Sequence, residues 1–243
     1  MKVYGIIGYP LTHSFSKRYF TEKFLHEGIS GCRYESFPIA SVQEYAGILE
    51  TNPGLVGLNV TIPHKKSILP LLDDTSGIPA GLDACNCIRL INGRSYGYNT
   101  DITGFERSLI RKLKHFHTRA LVLGNGGAAE GVKFVLKKLG ITYRVVSREP
   151  NGGLGYAGLD ETIIKENLLI INTTPLGTFP AVNECADIPY RYLTPEHLLF
   201  DLVYNPEKTL FLEKGEEQGA AIQNGYDMLV IQAEESWQIW NAD

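Results

Sequence analysis

The residues best suited to chemistry fall in two groups. The first is Gly124-Asn125-Gly126-Gly127-Ala128-Ala129, which fits the spacing G-x-G-x-x-A. It follows a short apolar segment, Ala120–Leu123, and opens a helical pattern that reaches Leu139 and stops at Gly140. In that context such a loop binds a dinucleotide, whereas alone it is only a tight strand–helix turn. The first glycine makes the turn, the second lets the backbone approach a pyrophosphate, and the small third residue lets the helix pack on its sheet. Phosphates then lie over the helix N-terminus, where N–H groups and the dipole favour anions. The next strand, Tyr143–Val146, leads into Ser147-Arg148. An arginine there suits a 2′-phosphate, so NADP is favoured over NAD; an acidic residue such as the adjacent Glu149 would suit a free ribose hydroxyl.

The second group lies in the first half of the chain. Asn59-Val60-Thr61-Ile62-Pro63-His64-Lys65 ends a strand and predicts a helix over His64–Leu72, with Pro63 at its start. Lys65 near a helix N-terminus would release its proton readily, as a general acid/base must; a solvated Lys65-Lys66 pair is the plainer reading. Asp101 closes Asn99-Thr100-Asp101 at a strand end. Its carboxylate could orient a lysine, or Asn99 or Thr100 could simply cap the next helix. Asn86, between Cys85 and Cys87 in an apolar strand, needs a partner, either substrate or backbone. Ser14 and Ser16 follow the first strand, and Ser16 also fits the N-cap of the next helix.

Positioning these residues falls to an alternation of strands and helices. Strands are expected at Val3–Gly8, Tyr34–Pro38, Leu55–Ile62, Ala84–Ile91 and Ser95–Asn99, with helices at Lys17–Glu27 and Val42–Glu50. Asn92-Gly93 is a hairpin turn. The helix Ile102–Lys114 follows, then strands at Leu168–Asn172, Leu198–Val203 and Ala221–Gln223. A helix opens at Asn205-Pro206, and the last helix is Tyr226–Trp240. Such alternation predicts α/β architecture with parallel sheet. Two domains are expected, 1–101 and 102–225, the first completed by the C-terminal helix 226–243.

Composition narrows the classes. Hydrophobic residues are 44% and charged residues 21%, which excludes a disordered chain. The net charge is −4, and no basic block of the kind that grips nucleic acid is present. No apolar run approaches the roughly 18 residues that span a membrane. Cys32, Cys85, Cys87 and Cys185 lack metal-ligand spacing, so neither a metal site nor a disulfide framework is expected, and the cytoplasm is the default compartment. Glycine is in surplus, at 25 residues, nine of them between Gly124 and Gly158. Such glycines mark turns or close backbone approaches.

Taken in order, and over nearly the whole chain, these pieces resemble the shikimate dehydrogenase family. Gly8-x-Pro10-x-x-His13-Ser14-x-Ser16 is similar to its substrate-carboxylate loop, which implies that Ser14 and Ser16 bind that carboxylate. Asn59-Val60-Thr61-x-Pro63-x-Lys65 resembles its most specific motif, placing Thr61 on substrate and Lys65 as a catalytic residue. By the same resemblance Asn86 meets a substrate hydroxyl and Asp101 is the catalytic aspartate, also near substrate. Gly124, Asn125, Gly126, Gly127 and Ala128 match the NADP loop, and Arg148 follows the cofactor strand. Asn172-Thr173-Thr174-x-x-Gly177 resembles the loop beside the cofactor, and Asp201-x-x-Tyr204-x-Pro206-x-x-Thr209 the segment whose tyrosine meets the substrate. Asn224-Gly225-x-x-Met228-Leu229-x-x-Gln232-Ala233 resembles the final site helix. Thr173, Leu202, Gly225 and Met228 thereby fall to the cofactor, and Tyr204 and Gln232 to the substrate.

The resemblance implies a substrate domain with a mostly parallel sheet, a Rossmann-type NADP domain, and a cleft between them that closes to exclude water. It implies reversible reduction of 3-dehydroshikimate by NADPH to shikimate, a step of aromatic amino acid biosynthesis, by a monomer or homodimer. Departures from the family pattern are Lys17 and Phe20-Thr21 after the second serine, and Glu149-Pro150 where a second cation is usual. Gly152, Gly153, Gly155 and Gly158 stand where relatives keep a helix, and relatives commonly continue into another helix past the equivalent of Trp240. The alternatives are a quinate or dual quinate/shikimate dehydrogenase using NAD, and a non-catalytic binding regulator. Ser16 favours shikimate, and the presence of both Lys65 and Asp101 argues against the regulator.

Overall fold

The structure is a computed structural model that describes residues 1–11, 15–149 and 153–242. It divides into two units, Met1–Thr100 with Ala233–Asp243, and Asp101–Gln232.

In the first unit the strands are β1 (Lys2–Gly8), β2 (Cys32–Pro38), β3 (Leu55–Val60), β4 (Asp74–Gly77), β5 (Cys87–Ile91) and β6 (Arg94–Tyr98). The helices are α1 (Phe15–His26) and α2 (Tyr45–Thr51). The sheet order is β2-β1-β3-β5-β6-β4. β1 pairs in parallel with β2 and β3, and β4 with β6; β3–β5 and β5–β6 are antiparallel. Alternating side chains of β1 feed two apolar clusters. Val3 and Ile7 join Leu58, Val60 and Ile48, while Tyr4 and Ile6 join Phe20, Phe24, Tyr34 and Trp240. The hairpin turn forms as expected, with φ of 50° at Asn92 and 78° at Gly93, the paired left-handed residues of a type I′ turn.

The second unit holds α3 (Asp101–Ile110), β7 (Arg119–Leu123), α4 (Gly127–Lys138), β8 (Thr142–Ser147), β9 (Leu154–Gly155) and α5 (Glu161–Glu166). It continues through β10 (Leu169–Asn172), β11 (Leu198–Asp201), α6 (Leu210–Glu217) and β12 (Ala221–Gln223). The unit boundary falls inside the last helix, α7 (Tyr226–Asn241). The sheet order is β12-β11-β10-β7-β8-β9, with every neighbouring pair parallel. Side chains alternate between two faces along the buried strands: Ala120, Val122, Leu169 and Ile171 enter one cluster, and Leu121, Leu123 and Ile170 the other. Both faces are therefore covered, as a parallel sheet requires. The chain builds outward from β7 to β9 and then returns to β10 on the other side of β7, which is the doubly wound order with a switch point between β7 and β10.

Three expectations are corrected. No helix spans His64–Leu72: the segment forms turns and one 3-10 turn, Leu69–Leu71. Pro70 removes an N–H and clashes with the preceding turn, and it disfavours α geometry at Leu69. The helix opened by Asn205-Pro206 instead begins at Leu210, because the Thr209 side chain accepts a hydrogen bond from Leu212 N and so sets the cap. The helix over Ile102–Lys114 is Asp101–Ile110. Between β8 and β9 lie only residues 148–153, and the described ones form no helix.

Candidate active site

Topology brings several of the polar residues of the first unit to one edge of its sheet. Ile7 of β1 lies beside Val60 of β3, Asn59 pairs with Cys87 at the start of β5, and Cys87 pairs with Tyr98 at the end of β6. The segments after β1 and β3, Asn86, and Asn99-Thr100 therefore emerge together. Thr61 N donates to Ile7 O at 2.9 Å and Tyr9 N to Ile62 O at 3.0 Å. Gly8 permits this approach, because a Cβ there would stand 2.4 Å from Thr61 Cγ2. Ser16 is buried in the first turn of α1; Ser14 lies outside the described residues.

Lys65 is not at a helix N-terminus, so the dipole argument for its ready deprotonation falls. It is half-buried and held by its backbone, whose carbonyl accepts from Cys85 N at 2.8 Å. The adjoining His64 is buried with Nε2 2.8 Å from Ile39 O. One residue beyond Cys85, Asn86 finds its partner in Thr100: Nδ2 donates to Thr100 Oγ1 at 2.9 Å and Oδ1 accepts from Thr100 N at 2.6 Å. Asn99 Nδ2 donates to Ala84 O at 2.8 Å.

Sequence reasoning missed what lies behind these residues. Asn59, in the motif but without a role, accepts from Tyr34 Oη at 2.7 Å and donates to Ser236 Oγ at 3.1 Å. Ser236 Oγ also lies 3.2 Å from Thr100 Oγ1. Tyr34, Asn59, Asn86, Thr100 and Ser236 thus form one buried polar network. Burial pushes the Tyr34 phenol well up, which keeps it a donor. The signal was a set of polar residues at otherwise apolar positions, which need partners when buried.

In the second unit the cofactor candidates follow the C-terminal ends of five parallel strands: Gly124 after β7, Arg148 after β8, Thr173 after β10, Leu202 after β11 and Gly225 beyond β12. This is the edge where doubly wound sheets take their ligands. Gly124 has φ +102°, and a Cβ there would lie 2.8 Å from Thr173 Oγ1. A Cβ at Gly126 or Gly127 would meet nothing within 4 Å, and no side chain caps α4. Asn125 and Ala128 are exposed beside them. Ala129 is fully buried in the sheet's core cluster. These features fit a pyrophosphate lying on the helix N-terminus. Arg148 is exposed; burial raises the Tyr156 phenol above its ordinary value, and the charge of Arg148 offsets part of that rise. Gly225 is required where its Cβ would fall 2.2 Å from Leu202 O.

Asp101 is the first residue of α3, half-buried. Three residues on, Gly104 lets α3 and α7 meet: a Cβ there would stand 2.6 Å from Met228 O and 3.1 Å from Gln232 Cβ. Gln232 is buried with Nε2 donating to Leu229 O at 2.9 Å. Tyr204 is half-buried in the segment after β11. Among the described residues no cluster of His, Cys, Asp and Glu is arranged to hold a metal, and no helix is long and apolar enough to cross a membrane.

The chain is similar to known proteins along nearly its whole length. The family profile for the shikimate dehydrogenase substrate binding domain matches residues 6–88. Shikimate dehydrogenase (NADP(+)) of Staphylococcus aureus (strain Newman) is 36% identical over 251 residues, covering 98% of this chain and 91% of its own. The crystal structure of shikimate 5-dehydrogenase from Thermus thermophilus in complex with NADP(H) and shikimate matches with TM-score 0.86 at 27% identity, over 100% of this chain and 94% of that one. Quinate dehydrogenase from Corynebacterium glutamicum in complex with NAD matches with TM-score 0.88 at 25% identity, over the same shares. A doubly wound sheet with its glycine loop at the switch point, a second mostly parallel sheet edged by Thr61, Lys65 and Asn86, and full-length likeness at this level place the chain in the shikimate dehydrogenase family.

Proposed function

We propose that the protein catalyses the reversible, NADP-dependent interconversion of 3-dehydroshikimate and shikimate. The observation that carries this is the full-length likeness to NADP(+) shikimate dehydrogenases, with Lys65 and Asp101 both in place. In this reading Ser14 and Ser16 bind the substrate carboxylate, Asn86 a substrate hydroxyl, Thr61 also contacts the substrate, and Tyr204 and Gln232 complete its enclosure. Gly124 to Ala128 hold the pyrophosphate, Arg148 the 2′-phosphate, and Thr173, Leu202, Gly225 and Met228 the rest of the cofactor.

A bound nicotinamide supplies or accepts the hydride. The chain's own task is the proton. As the ketone becomes an alcohol, its oxygen gains negative charge and must be protonated; Lys65 Nζ donates that proton and takes it back in the reverse direction. Asp101 orients the hydroxyl or the lysine. Binding the carboxylate and hydroxyls presents one face of the reacting carbon, which converts binding into orientation.

Steady-state kinetics with shikimate and quinate, each with NADP and NAD, test the proposal. Shikimate with NADP should give the highest kcat/KM. A second reading, use of NAD with quinate, is favoured by Glu149 beside Arg148 and by the likeness to the quinate dehydrogenase. A higher kcat/KM for that pair would replace the first reading, and tight shikimate binding without turnover would replace both.

A further inference from the structure

Asp201 is a carboxylate with no exposed surface at the end of β11. Among the described residues no cation pairs with it; its partners are neutral donors from three segments. Oδ1 accepts from Asn172 Nδ2 at 2.9 Å and from Val203 N at 3.0 Å, and Oδ2 accepts from Thr209 Oγ1 at 2.6 Å. Burying an unpaired carboxylate is costly, so packing alone does not account for it.

A further role is visible in Asn172, the strand neighbour of Asp201 and equally buried. Because its amide nitrogen faces the carboxylate, its oxygen must face the other way. There Asn172 Oδ1 accepts from Thr174 N at 3.1 Å and Thr174 Oγ1 at 2.6 Å. Thr174 in turn accepts from Leu176 N at 3.3 Å. Its Cγ2 stands 2.9 Å from where a Gly124 Cβ would be, so it packs on the turn that opens the dinucleotide loop. Gly177, at the end of the same segment, lies against Thr209, the third partner of Asp201. A neutral acceptor–donor at position 201 would let the Asn172 amide turn over and set N–H against N–H at Thr174.

We infer that Asp201 is a positioning residue for the dinucleotide: through Asn172 it orients Thr174 and thereby holds the Thr173–Gly177 segment against the Gly124 turn at the switch point. The inference rests on the proposed use of a nicotinamide dinucleotide.

The charged form is the one that orders the relay, and burial raises the Asp201 carboxyl to about 6. The Tyr190 phenol is within electrostatic reach of Asp201 and is itself raised, chiefly by burial. Glu207 and Lys208, next to Thr209, are exposed, and Lys208 pairs with Glu216.

Two variants test it. Thr174→Val keeps the branched shape and removes the hydroxyl; Asp201→Asn keeps the volume and removes the charge. NADPH affinity is measured by fluorescence titration, KM for shikimate by steady-state rates, and folding by thermal melts. Each variant should weaken NADPH binding about tenfold, the scale of one buried hydrogen bond left unmade, with a smaller change in KM for shikimate. The ratio of wild-type to Asp201→Asn affinity should shrink as pH falls through about 6, since the protonated wild type then resembles the variant. If Asp201→Asn fails to fold, Thr174→Val alone decides. Equal NADPH affinity in a folded Thr174→Val variant and wild type overturns the inference, as does an affinity ratio that ignores pH. Absence of NADPH binding by the wild type overturns the cofactor reading, and the inference with it.

Discussion

Asn86 and Thr100 hold each other at both ends of the Asn86 amide, the nitrogen on Thr100 Oγ1 at 2.9 Å and the oxygen on Thr100 N at 2.6 Å. Thr100 is the last residue before α3, so this pair ties the start of β5 to the segment that leads into Asp101. Thr100→Val keeps the backbone contact and removes the hydroxyl that also meets Ser236. Loss of a buried partner of this kind costs about 1–3 kcal/mol. The urea midpoint should fall accordingly, and KM for shikimate should rise while KM for NADP holds. A stability loss with no change in KM for shikimate would show that Thr100 does not orient Asn86 for substrate.

Lys65→Ala separates proton transfer from binding. Removing a general acid costs about 10²–10⁴ in rate, so kcat should fall by that order while shikimate affinity, measured by titration, changes far less. An unchanged kcat would remove Lys65 from the mechanism.

These two sites differ in how far the sequence disclosed them. The glycine loop was legible because strand, turn and helix N-terminus are all local, and Gly124 and Ala129 each answer to a separate steric demand, while Gly126 leaves the start of the helix open. Asn59, Thr61 and Lys65 were legible as a motif, but their setting was not. The helix expected after Pro63 ignored Pro70 seven residues on, and His64 turned inward to Ile39 O rather than starting a helix. The partner of Asn86 lies 14 residues away, and one partner of Asn59 lies 177 away at Ser236 in α7; pairings of that range are set by strand register and by how the last helix packs on the sheet, which residue types alone do not encode. Thr209, which caps α6, was in plain view with its side chain suited to a cap, and Pro206 drew attention from it.

Gly57→Ala tests the same long-range dependence in the first unit. A Cβ there would stand 2.4 Å from Trp240 Cδ1 and 2.5 Å from Nε1. Trp240 cannot easily withdraw, since Nε1 donates to Ile88 O at 2.9 Å and the ring packs among Tyr4, Phe20 and Tyr34. Overpacking of this kind costs about 1–3 kcal/mol. The denaturation midpoint should drop, with intrinsic tryptophan fluorescence altered even where the chain stays folded. A midpoint matching wild type would mean that the β3–α7 contact yields without cost.

Acid stability should be governed by two buried histidines. His117 Nδ1 accepts from Lys114 N at 2.9 Å and its Nε2 donates to Glu196 O at 2.9 Å. His197 Nδ1 accepts from Thr194 N at 3.0 Å and its Nε2 donates to Ile164 O at 3.0 Å. Protonating either Nδ1 would set N–H against N–H, and burial lowers both rings below their ordinary 6.5. The unfolded chain therefore binds protons first as pH falls. The stabilisation from neutral imidazole is complete above about 6.5 and is lost as pH drops toward the lowered native values. Asp201 works in the opposite sense: raised to about 6 from 3.8, it adds stability as pH falls through that interval. The two can be told apart by substitution. Glutamine at both histidine positions can accept and donate at similar points without titrating, so His117→Gln/His197→Gln should flatten the decline in urea midpoint between neutral and mildly acid pH. Asp201→Asn should instead steepen it, by removing the opposing gain. A double-glutamine variant whose midpoint falls with acid as steeply as wild type would show that other groups carry the dependence.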